Sequence, residues 1–159
     1  SIAATLAQPK SELWRNLYVG QSGFDERNFN NVLAEHPDLA LGHPLVRIQG
    51  PLSGSIALPS RPSVVFALVE GIAEIDGVRI DQCRRLGSLT TSEGPYLMDA
   101  QACRIRGTAR VLIGSGDAAA AIAVARAGGE SIIVFDRAFL SHKAPGSNVE
   151  WLRKVLKNH

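Results

Sequence analysis

The sequence predicts an α/β domain with a central mixed sheet, short N-terminal helices and a C-terminal βαβα unit. Three observations lead there. Residues 9–37 hold two runs with helical spacing of apolar positions. From His43 to about Leu112 the chain turns to short β-branched runs broken by Gly, Pro and Ser. The final third places a glycine-rich turn and an alanine-rich run between two β-like runs, then an amphipathic segment.

Taken in order, Pro9, Ser11 and Glu12 open "SELWRNLYVG", where Leu13, Trp14 and Leu17 share one helical face before Gly20. Asp25 is placed to cap "ERNFNNVLAEH", with Phe29, Val32 and Leu33 on one face and Pro37 ending the run. "LVRIQG", "SIALP", "SVVFALV", "AEIDGVRI", "YLMDA" and "CRIRGTARVLI" read as strands. Asp76-Gly77 is the dipeptide that best tolerates positive φ at both turn positions, so a tight hairpin is expected there. Gly and Ile recur through Gly71 to Gly116, but too irregularly to favour a β-solenoid. Ala109 to Ile113 is strand-like and Asp117 caps the alanine-rich helix through Ala127. Gly128-Gly129 ends that helix, and Ser131 to Phe135 is a parallel second strand. Asn148 caps "VEWLRKVLKN", whose Trp151, Leu152, Val155 and Leu156 make an apolar face. That face must dock on the sheet or bind another chain.

A chain of 159 residues suits one domain, here residues 1–159, and 45% apolar with 20% charged residues is ordinary for a soluble globular protein. Its 17 Lys+Arg against 15 Asp+Glu leave a net charge of +2, too little for a nucleic-acid footprint. The clusters Arg84-Arg85, Arg104/Arg106/Arg110 and Lys154/Lys157 read as solvated surface. Cys83 and Cys103 have no CxxC pair and no histidines at zinc-ligand spacing, so no metal site is expected. They are able to pair, but usage this sparse reads as two buried thiols of a cytoplasmic protein. No apolar stretch is long enough to span a membrane, and "SIAATLAQPK" lacks the features of a signal peptide.

Gly114-Ser115-Gly116-Asp117-Ala118-Ala119 fits the relaxed G-x-G-x-x-A fingerprint of Rossmann-like sites that bind NAD(P). Asp136 lies about 20 residues on, where a ribose-binding acid belongs. Against this, Asp117 would repel a pyrophosphate at the helix N-terminus, and little chain follows Asp136 to complete such a domain. The same glycines also fit a turn that only lets neighbouring elements pack closely.

Another set of landmarks follows in order: "GHPLVR" (Gly42 to Arg47), "SIALPS" (Ser55 to Ser60), "LGSLTTSEGPYL" (Leu86 to Leu97), "AIAVARAGGESIIVFDRAFLS" (Ala121 to Ser141) and "NVEWLRKVL" (Asn148 to Leu156). The order resembles the later half of glutamine-amidotransferase-like domains of gliding-motility/ABC-transporter accessory and intraflagellar-transport proteins. The resemblance implies an α/β fold and a non-catalytic role in ligand binding or assembly. It covers roughly Gly42 to Leu156, and the family's preceding strand-helix repeats are missing from residues 1–40.

No catalytic constellation stands out. Neither cysteine has the glycine-flanked turn of an amidotransferase nucleophile, and His36, His43, His142 and His159 are scattered. Ser115 is not in a G-x-S-x-G elbow, and Glu70, Glu74, Asp76 and Asp81 read as surface charge. The expected ligand site gathers Gly114, Ser115, Gly116, Asp136, Arg137 and His142 at the carboxyl ends of the last strands. The expected function is a non-catalytic ligand-binding or assembly domain, with an NAD(P)-type dinucleotide-binding protein using the Gly114-Gly116 turn as the alternative. A homo-oligomer or protein partner is expected, and no nucleic acid.

Overall fold

A computed structural model describes residues 36, 39, 45–48, 50–58, 61–115, 117–141 and 145–157. Strand makes up 58% of them and helix 12%, which overturns the α/β expectation. The strands are β1 (Leu45–Arg47), β2 (Leu52–Ser55), β3 (Val64–Phe66), β4 (Val69–Ile75), β5 (Val78–Thr90), β6 (Tyr96–Arg106), β7 (Ala109–Ser115), β8 (Ala118–Arg126) and β9 (Gly129–Val134). The helix α1 spans Gly146–Lys157. The two helices expected within residues 9–37 lie outside the described residues.

The strands form one mixed sheet in the order β1-β3-β9-β8-β6-β5-β4-β2, with β7 also on β8, and the sheet curls as a half-barrel. β1–β3, β3–β9 and β2–β4 are parallel, and the remaining pairs are antiparallel. Asp76 (φ 49°) and Gly77 (φ 78°) both take positive φ in the β4–β5 turn, as their dipeptide requires.

The principal correction falls on residues 109–134. They are not βαβ but a meander, in which β7 and β9 both pair antiparallel with β8. The run expected as an alanine-rich helix is the strand β8, so there is no helix for Asp117 to cap and no Rossmann-like unit. Alanine's helix preference is under 1 kcal/mol per residue over most other side chains, and tertiary context overrides it here. β8 has partners on both edges and is buried on both faces. Ala119, Ile122 and Val124 pack into one core, and Ala120, Ala121 and Ala123 into the other.

The first core is packed largely from the sheet's own strands, among them Val46, Val65, Ile75, Ile80, Ile122 and Ile133, with Phe135 just past β9, and we call it the inner face. The outer face carries Phe66, Ile132, Val134 and Phe139, covered by Val149, Trp151 and Leu152 of α1. Phe139 stacks on Phe66 and meets Trp151 edge-on, both at 5.6 Å between ring centroids. The apolar face of α1 therefore docks on the sheet.

Side-chain amides complete the sheet where it forks. β8 pairs with β6 through Ala118 and Ala119 and with β9 from Ala121 onward. The first half of β6 is thus left with an edge that no strand among the described residues covers. Asn148 meets it there: Oδ1 accepts the Tyr96 N–H at 2.8 Å, and Nδ2 donates to the carbonyls of Tyr96 (2.9 Å) and Phe139 (2.7 Å). Asn148 was expected to cap α1. Instead it lies inside the first turn and substitutes for a strand's peptide group. Gln101 does the same for Val69, accepting from its N–H at 2.7 Å and donating to its carbonyl at 2.9 Å. A buried backbone group left without such a partner costs about 1–3 kcal/mol, which accounts for the burial of both amides.

Candidate functional site

Of the residues expected to share a ligand site, the described ones lie on either side of β8, with Asp136 and Arg137 following β9 on one edge. Gly114 and Ser115 end β7, on the edge of β8 opposite β9. Gly116 and His142 lie outside the described residues. Gly114 has φ +147°, and a Cβ there would sit 2.4 Å from the Ala118 carbonyl oxygen and 2.9 Å from the Ala119 Cα. Its glycine is explained by close packing of β7 on β8. The fingerprint mechanism also needs a helix N-terminus after the turn, and a strand stands there instead.

Asp136 is fully buried, with Oδ2 accepting the Met98 N–H and Oδ1 the Ala138 N–H, both at 2.8 Å. It ties the end of β9 to β6. Burial raises its carboxyl above the ordinary value of 3.8, against the lowering pull of the backbone N–H groups, and the nearby Asp99 carboxylate adds to the rise. Because the folded-state pKa exceeds the unfolded one, this group's stabilising contribution is full below the ordinary value. It is lost as pH climbs through the raised value. Asp136→Asn should therefore gain stability relative to the parent between about pH 4 and pH 7, as measured by urea denaturation at both ends. A constant difference would show that Asp136 does not titrate in this way. Arg137 contributes its carbonyl, which accepts from Nε of the buried Arg47. Burial first, and then the Arg137 guanidinium, lower Arg47 to about 10, so it stays charged.

The structure gathers a different set of polar groups around a β-bulge. Between the pairs Asp81↔Arg104 and Arg84↔Ala102, β5 has two residues, Gln82 and Cys83, facing the single Cys103 of β6. Gln82 takes positive φ (51°), unusual for a residue with a Cβ. Cys83 and Cys103 are joined by a disulfide with Cα atoms 4.0 Å apart, which corrects the expectation of free thiols. The hairpin removes their sequence separation, and both pack toward the inner core.

Strand alternation then turns Ala102, Arg104 and Ala118 to the outer face. The two alanines are too short to fill the space between the longer side chains around them. The result is a cavity of about 260 Å³ lined by Gln82, Arg84, Ala102, Arg104, Asp117 and Ala118. Among the described residues no ion pair joins Arg84, Arg104 or Asp117, whereas the neighbouring Arg79 pairs with Asp81 at 2.9 Å. Two guanidinium groups and one carboxylate thus face one small cavity without satisfying each other. Such groups hold charged ligands by charge-assisted hydrogen bonds, and Arg adds a planar fork suited to carboxylate or phosphate.

No helix among the described residues is long and apolar enough to cross a membrane. Comparison with family models, curated proteins and solved structures finds no match to this chain.

Proposed function

We propose that this chain is a non-catalytic binding domain whose ligand is a small anion held in the bulge cavity by Arg84 and Arg104. The observation that carries the reading is a pair of arginines on the walls of one cavity that have no ion partner among the described residues, next to a disulfide-tied bulge. Bulges re-aim side chains locally, and a cross-link between the two strands limits how far the arginines drift apart. The cavity is smaller than the roughly 300–1,000 Å³ typical of drug-sized ligands, so the ligand is small. Disulfides persist in oxidising compartments, and the proposal places the domain in one.

Sulfate is the test anion. In calorimetric titration at low ionic strength the parent should bind it at one site, and added sodium chloride should weaken the binding. Arg84→Ala and Arg104→Ala should each reduce the affinity tenfold or more, the loss expected of one charge-assisted contact. Neither side chain is in the core, so melting temperatures should stay near the parent's. Absence of binding to the parent, or binding by both variants as tight as the parent's, would refute the proposal.

A further inference from the structure

We infer that the ligand is a small acidic amino acid, a molecule with two carboxylates and one ammonium group. The inference rests on the anion-binding reading of the same cavity and adds the role of Asp117. For a plain anion Asp117 is a defect, since a carboxylate on the wall repels what the two arginines attract. Asp117 is exposed and, among the described residues, has no ion-pair partner to cancel its charge. The nearest other acid along β5, Asp81, is already matched by Arg79. What remains around the cavity is two positive groups and one negative group. Its complement is two negative groups and one positive group.

The positions suit that complement. Arg84 projects from β5, Arg104 from β6 and Asp117 from the residue before β8, so the three charges come from neighbouring elements. Arg104 is paired through its backbone with Ala118, next to Asp117, and Arg84 lies on the far side of β6. A ligand lying across the alanine floor therefore meets Arg84 at one end and Arg104 with Asp117 at the other. An α-amino acid head places its carboxylate and ammonium side by side, as Arg104 and Asp117 require. A side-chain carboxylate is then left for Arg84, and the Gln82 amide offers both a donor and an acceptor nearby.

The experiment titrates the full chain with L-glutamate, with glutarate, which keeps both carboxylates but lacks the ammonium, and with sulfate. The parent should bind glutamate at least tenfold more tightly than glutarate. Asp117→Asn should remove that preference by weakening glutamate and strengthening glutarate, with unchanged melting in the absence of ligand. Equal affinities for glutamate and glutarate in the parent, or an undiminished preference in Asp117→Asn, would overturn the inference and leave the anion site standing. Binding of sulfate with no binding of either dicarboxylate would also overturn it. Failure of all three ligands would remove the anion site itself.

Discussion

Gly114→Ala should destabilise the ligand-free protein by about 3–4 kcal/mol, adding backbone strain to steric overlap. The φ of +147° is one that residues with a Cβ rarely adopt, and the new methyl would sit 2.4 Å from the Ala118 carbonyl oxygen. That oxygen belongs to a strand paired on both sides, so it cannot yield without disturbing β6 or β7. Gly128→Ala is the matched control. Its φ is +89°, but nothing lies within 4 Å of the added methyl, so only backbone strain of about 1 kcal/mol is expected. Urea denaturation of the two variants checks both values. Similar small effects at both positions would mean that β7 is not packed on β8 as described.

Replacing both cysteines, Cys83→Ser with Cys103→Ser, should cost about 3 kcal/mol, the loop-closure entropy that a cross-link at this separation removes from the unfolded chain. Reduction of the parent with excess dithiothreitol should lower stability by a similar amount, while the double variant should not respond to reductant. The consequence should extend to the cavity, because Arg84 and Arg104 each directly follow a bonded cysteine. Sulfate binding by the folded double variant should be weaker than by the parent. A double variant as stable as the parent, with equal sulfate affinity, would show that the bond supports neither the fold nor the site.

Much of the sheet is legible in the sequence because its signals are local. "SVVFALV" is too apolar and β-branched for anything but buried extended chain, Asp76-Gly77 specifies the turn from β4 to β5, and the apolar stripe through Trp151 and Leu152 specifies the last helix. β8 is not legible in this way. "AAAAIAVAR" favours a helix on its own and becomes a strand because β7 and β9 flank it, a fact of tertiary pairing. The period-two placement of Ile122 and Val124 was the available hint. Asn148 misleads for a related reason, since an asparagine before an amphipathic run usually caps a helix. Here the uncovered edge of β6 competes for its side chain and wins.

The site is legible only in fragments. Arg84 and Arg104 read as solvated surface and Asp117 as a helix cap, because no rule of spacing joins residues 84, 104 and 117. The bulge at Gln82 joins them, and bulges leave little trace in a single sequence. One signal was present: each cysteine is followed at once by arginine, so pairing Cys83 with Cys103 brings two arginines together. The glycine turn has the stronger motif, but a strand follows it where the fingerprint needs a helix, which shows why a short fingerprint needs its strand–turn–helix context.

A small anion is proposed to bind at the bulge cavity and not at the glycine turn or beside Asp136. A titration of the ¹⁵N-labelled protein with sulfate, followed by ¹H–¹⁵N correlation spectra, tests this residue by residue. Binding there should give saturable shifts concentrated at the amides of Gln82, Arg84, Ala102, Arg104 and Ala118 and at the Arg84 and Arg104 Nε–H signals. Shifts centred instead on Gly114, Ser115 and Arg137, or no saturable shifts anywhere, would contradict it.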